Sequence, residues 1–100
     1  MSADALLLTS YMSTKTIIKV CGLIQLDEAL ACIELGVQWL GFNCYQGSKR
    51  YLPPEAIAAI VGQLPPAVQT VGVFVNASAK EIEETLQQTG LHLAQLHGDE

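Results

Sequence analysis

Two apolar patterns alternate along the chain. Thr16–Cys21 (T-I-I-K-V-C) is β-branched and apolar, which predicts a strand ending at Gly22. Gln25–Leu35 then sets Leu26, Ala29, Leu30, Ile33 and Cys32 at helical spacing, with Asp27, Glu28 and Glu34 outward. Asp27 and Glu28 fall in the first turn, where carboxylates face the positive end of the helix dipole, and Gly36 supplies a stop. Val37–Cys44 (V-Q-W-L-G-F-N-C) is a second, nearly continuous apolar strand, followed by a polar loop, Tyr45–Leu52. Pro53-Pro54 opens a second helix, because proline lacks only an N–H that the first turn leaves unbonded anyway. That helix runs through Ala56, Ile57, Ile60 and Val61 to Leu64, before Pro65-Pro66. Gln69–Val75 is a third strand, and Asn76 or Ser78 caps a third helix with Ile82 and Leu86 on one face and Glu81, Glu83 and Glu84 in an acidic run. Gly90 stops it, and Leu91–Leu96 is a fourth strand.

The order is βαβαβαβ, with strands apolar on both faces and amphipathic helices between them. Such strands are parallel and joined by crossover helices, an α/β arrangement. A strand-to-strand period of about 25 residues suits a (β/α)₈ TIM barrel of about 250 residues, so the chain reads as its N-terminal half. A doubly wound sheet is the competing topology, but no G-x-G-x-x-G follows the first strand. Residues 1–14 have weak periodicity and read as a flexible or loosely docked leader to a half-barrel spanning residues 15–100.

Half of the 100 residues are hydrophobic and 15% are charged, a globular composition. No apolar run reaches the ~18 residues of a membrane helix. A formal net charge of −5 speaks against nucleic acid or an anionic membrane as the main partner. The three cysteines lack C-x-x-C spacing, so reduced thiols in a cytoplasmic protein are expected rather than a disulfide framework or a metal site. Of five basic residues, Lys19, Lys49 and Arg50 lie near the C-terminal ends of predicted strands, while most acids lie on helices. Cations gathered at one rim of an acidic protein suit an anionic small molecule.

Four segments in register resemble the phosphoribosylanthranilate isomerase family: K-V-C-G (Lys19–Gly22), G-F-N-C-Y-Q-G-S-K-R-Y (Gly41–Tyr51), V-G-V-F-V-N (Val71–Asn76) and Q-L-H-G-D-E (Gln95–Glu100). The resemblance runs from about Lys15 to the last residue and implies the first half of a barrel enzyme of tryptophan biosynthesis. It implies an Amadori rearrangement of N-(5-phosphoribosyl)anthranilate to the aminoketose by general acid–base catalysis, with no cofactor or metal. Two departures stand out. Lys49 replaces the proline usual before the arginine, which is expected to loosen the loop, and Asn43-Cys44 replaces a more apolar pair.

By this resemblance Cys21 is the general base, at a strand end where barrel active sites lie. A thiolate is basic enough for the work when nearby cations lower its pKa, and Lys19, two residues earlier, points to the same side of the strand. The competing reading is a buried structural cysteine, which is how Cys32 reads. Arg50 is implied to bind the anthranilate carboxylate, to which a planar guanidinium is well matched. Its neighbour Lys49 reads as solvated. His97 is implied to line the substrate site, with Gln95 a weaker candidate on the same side of its strand. Asp99 and Glu100 read as the start of the next helix; Asp99 is not the family's acid, which is implied to be an aspartate at a later strand end beyond residue 100, as is the phosphate site. The chain by itself is therefore expected to have little activity. A non-catalytic half-barrel, assembling as a homodimer or with a complementary half, is the alternative, because unpaired edges and an apolar inner face would be exposed. A different phosphosugar barrel enzyme is disfavoured by the Lys19–Gly22 and Gln95–Glu100 segments.

Overall fold

A computed structural model describes residues 18–97. The leader expected over residues 1–14, the first residues of the first strand, and Asp99 and Glu100 lie outside the described residues. The elements are β1 (Lys19–Val20), α1 (Leu26–Glu34), β2 (Trp39–Asn43), α2 (Pro54–Val61), β3 (Gln69–Val75), α3 (Ala79–Thr89) and β4 (Leu93–His97). The four strands form one sheet in the order β1-β2-β3-β4, every neighbouring pair parallel. The order never reverses, as it would in a doubly wound sheet. With the right-handed crossovers that βαβ units adopt, successive helices fall on one face, as in a barrel wall.

The helix-covered face holds the core. Leu40 and Phe42 of β2 are fully buried against Ala29 and Cys32 of α1 and Ile57 and Ile60 of α2. The opposite face carries Lys19, Gly41, Val71, Val73 and Gln95, aligned through the pairings Gly41↔Val71 and Val73↔Gln95. There the Lys19 ammonium donates to Oε1 of Gln95, although β2 and β3 lie between their strands. Across a flat sheet those strands would be about 14 Å apart, so the contact requires strong curling toward a concave inner face. Val71 and Val73 on that face are buried at 3% and 7%. On the edge strand β4, Leu93, which shares the concave face through its pairing with Val71, is 41% exposed, and Leu96, on the other face, is 51% exposed.

Several boundaries shift for identifiable reasons. Ser78, not Asn76, caps α3: its Oγ accepts from the Glu81 N–H at 3.1 Å. Asn76 turns the chain with a φ of 53°. Helix α2 stops at Val61 rather than Leu64, because Gln63 and Leu64 donate to the carbonyls three residues back, at 3.0 and 3.1 Å, in a tighter turn. Strand β4 starts two residues later than expected. Leu91 is buried in the core, and the His92 ring is drawn to β3, its Nδ1 accepting from the Thr70 N–H at 3.1 Å. His97 consequently ends the strand rather than following it.

Candidate active site

Strand β1 ends at Val20 because the chain turns away at Gly22, whose φ of 78° a residue with a side chain rarely adopts. The Leu23 N–H then donates to the Gly41 carbonyl at 3.2 Å, holding the turn against β2. Cys21, exposed at this strand end, rests its sulfur on Gly41. A Cβ at Gly41 would stand 2.8 Å from Cys21 Sγ and 3.3 Å from its Cα, so the close approach exists only because position 41 has no side chain.

The loop after β2 brings Arg50 to the same turn. Ser48 is its hub: Oγ accepts from Asn43 Nδ2 at 2.8 Å and from the Arg50 N–H at 3.0 Å, and its carbonyl accepts from the Tyr51 N–H at 3.3 Å. Asn43, itself one of the departures from the family pattern, thus tethers the loop that carries Lys49. Arg50 lies across Gly22, with Nε donating to the Gly22 carbonyl. A Cβ at Gly22 would come within 3.1 Å of Arg50 Cδ. Nη2 of Arg50 pairs with Glu28 Oε2 at 3.3 Å. Glu28 is fixed in turn, because its Oε1 accepts from the Ile24 N–H at 3.0 Å and the Gln25 N–H at 3.2 Å. These bonds, led by that from Ile24, hold the Glu28 carboxyl below its usual range, with the nearby Arg50 charge adding to the effect.

Lys19 belongs to a second cluster on the concave face. Gln95 accepts from Lys19 and its Nε2 stands 2.7 Å from Nε2 of His97, so the three side chains form one chain. The structure therefore groups the four sequence-predicted site residues as Cys21 with Arg50 and Lys19 with His97, the latter pair joined through Gln95. The Lys19 ammonium donates to Gln95. Lys49 is exposed. Cys32 is buried in the core, as expected of a structural cysteine. Burial also pushes the Cys44 thiol up to about 11.

A cavity of about 400 Å³ is lined by Cys21, Gly22, Glu28 and Arg50, together with Cys32 of α1 and Leu35 just beyond its end. Another of about 440 Å³ lies between the loops after β2 and β3, lined by Tyr45, Tyr51, Glu81 and Thr85. Among the described residues, no group of three or more His, Cys, Asp and Glu side chains converges as a metal site. No described helix is long and apolar enough to cross a membrane.

Sequence reasoning missed Gly41, Ser48 and the contact of Glu28 with Arg50. For Glu28 a signal was present, since it lies three residues after the Gln25 cap, the spacing of a capping box.

Residues 18–100 match the family described as N-(5'phosphoribosyl)anthranilate (PRA) isomerase. The N-(5'-phosphoribosyl)anthranilate isomerase of Citrifermentans bemidjiense is 47% identical over 85 residues, which are 85% of this chain and 41% of that protein. The crystal structure of phosphoribosyl anthranilate isomerase from Thermus thermophilus superposes with a TM-score of 0.83 at 40% identity, over 85% of this chain and 42% of that one. A phosphoribosyl anthranilate isomerase in complex with reduced 1-(o-carboxyphenylamino)-1-deoxyribulose 5-phosphate gives a TM-score of 0.83 at 41% identity, over 85% and 44%. The chain thus spans about two-fifths of the length of the relatives it matches.

Proposed function

Because the chain belongs to the N-(5'-phosphoribosyl)anthranilate isomerase family, we propose that it supplies the general base and the carboxylate-binding arginine of such an isomerase. The observation carrying this reading is the convergence on Gly22: the Cys21 sulfur rests against Gly41, and the Arg50 guanidinium is tied to the carbonyl of the very next residue.

In this reading the anthranilate carboxylate of the substrate pairs with Arg50, which fixes the aromatic end. An acid protonates the furanose ring oxygen, the ring opens to a Schiff base, and the Cys21 thiolate takes the proton from ribose C2. The resulting enolamine tautomerises to the aminoketose, so atoms balance without an external oxidant or reductant. Lys19, Gln95 and His97 line the concave face beside the sugar. The acid and the phosphate site come from the part of the isomerase that corresponds to the rest of the relatives' length.

The test follows the fluorescence of N-(5-phosphoribosyl)anthranilate. The 100-residue chain alone is expected to leave it unchanged, whereas the chain assembled with the C-terminal part of a homologous isomerase consumes it. A well-folded assembly that never turns over substrate would overturn the catalytic reading. The exposed Leu93 and Leu96 of β4 favour a second reading, in which this half-barrel associates with a complementary half or a second copy without catalysing anything. A defined, inactive dimer in sedimentation would support it.

A further inference from the structure

We infer that Glu28 is a positioning residue for Arg50: it holds the guanidinium in place for a carboxylate ligand, in addition to closing the N-terminus of α1. This rests on the proposal that Arg50 binds the substrate's carboxylate. The two roles fall to the two oxygens of one carboxylate. Oε1 is held by two backbone N–H groups, those of Ile24 and Gln25, so the side chain has lost the freedom an exposed glutamate usually keeps. Oε2 is left facing Arg50 Nη2 at 3.3 Å.

The other restraints on Arg50 act along the same line. Nε donates to the Gly22 carbonyl, the missing Cβ of Gly22 makes room for the side chain, and Ser48 Oγ holds the Arg50 backbone N–H. Nε and Nη2 therefore have partners within the protein, while for Nη1 none is found among the described residues. An incoming carboxylate meets a guanidinium already oriented. The pair is partly solvated, its side chains 48% and 38% exposed, so it adds little to fold stability. Its value lies in ordering a long side chain before the ligand arrives, a cost otherwise met on binding. The charge of Glu28 opposes an incoming carboxylate, so tighter anthranilate binding in Glu28→Gln would mean that repulsion, not ordering, governs and would overturn the proposal.

The test uses the 100-residue chain, with anthranilate as the probe. Glu28→Gln keeps an acceptor oxygen for the capping box but presents an amide donor to Arg50. Helicity by circular dichroism is expected to be unchanged. The Nε–Hε cross-peak of Arg50, followed by NMR, is expected to lose its protection from exchange, and anthranilate to bind about threefold to tenfold more weakly. Glu28→Asp, which keeps the charge on a shorter stem, should recover part of that affinity. An unchanged Arg50 cross-peak and unchanged affinity in Glu28→Gln, with Arg50→Lys still weakening anthranilate, would overturn the proposal and leave Glu28 as a helix cap alone. If Arg50→Lys binds anthranilate as the unaltered chain does, or if anthranilate leaves the Arg50 peak unmoved, the carboxylate reading of Arg50 fails and this inference falls with it.

Discussion

Replacing Gly41 by alanine adds one methyl group directly against Cys21. No positive φ is involved, so backbone strain does not enter and the effect is steric. The new Cβ would stand 2.8 Å from Cys21 Sγ, 3.3 Å from its Cα and 3.4 Å from its Cβ. Carbon and its neighbours pack at about 3.5–4.0 Å, so the sulfur has to retreat by about 1 Å. A rotamer change could move the sulfur, but the crowding against the Cys21 backbone forces β1 itself to shift against β2. Overpacking of this kind costs about 1–3 kcal/mol. Alanine returns about 0.5–1 kcal/mol by restricting the unfolded chain. The net expectation is a loss of about 1 kcal/mol, or a fall in Tm of about 4–8 °C for a domain of this size. The displacement matters more than the stability, because a shift of about 1 Å in a reacting group can cost about a hundredfold in rate. Two assays read it on the chain as it stands: thermal unfolding, and the rate of iodoacetamide alkylation at Cys21 by mass spectrometry. An unchanged Tm together with an unchanged alkylation rate at Cys21 would refute the packing argument.

Other substitutions probe the same framework. Gly22→Ala forces a side chain into a φ of 78° and brings its Cβ within 3.1 Å of Arg50 Cδ; the strain alone should cost about 1–2 kcal/mol, read as a lower urea midpoint. His92→Phe removes the acceptor of the Thr70 N–H and should destabilise by about 1–3 kcal/mol, with faster amide exchange at Thr70. Burial pushes the Cys44 thiol from 9.0 to about 11, so the folded state holds that proton more tightly than the unfolded state. Its stabilising effect is complete below pH 9 and is lost as pH rises to about 11, and unfolding midpoints of wild type and Cys44→Ala should converge across that window.

The elements were legible because their signals are local. Apolar runs marked the strands, Pro53-Pro54 opened α2, and Gly36 and Gly90 lie at the ends of α1 and α3 with φ of 90° and 79°. The parallel order followed from the alternation of strand and helix. The start of β4 was misplaced because Leu91 and His92 look like strand residues, whereas one is buried in the core and the other bonds across to Thr70. The site was legible through motifs, which name residues but not contacts. That Cys21 rests on Gly41 depends on the register Lys19↔Trp39, which no single segment encodes. The Lys19–Gln95 contact needs the curl of four strands, and Glu28 reads only as a first-turn acid facing the helix dipole until the loop after β2 folds back over Gly22.

The central claim is that Cys21 takes the C2 proton. It is tested most directly by the rate of N-(5-phosphoribosyl)anthranilate consumption in the assembly of this chain with a homologous C-terminal part, comparing Cys21→Ala with Cys32→Ala. The account predicts that Cys21→Ala abolishes turnover in an assembly that still forms, while Cys32→Ala, truncating a core side chain, lowers stability but leaves turnover in the folded fraction. Turnover that survives Cys21→Ala would contradict it.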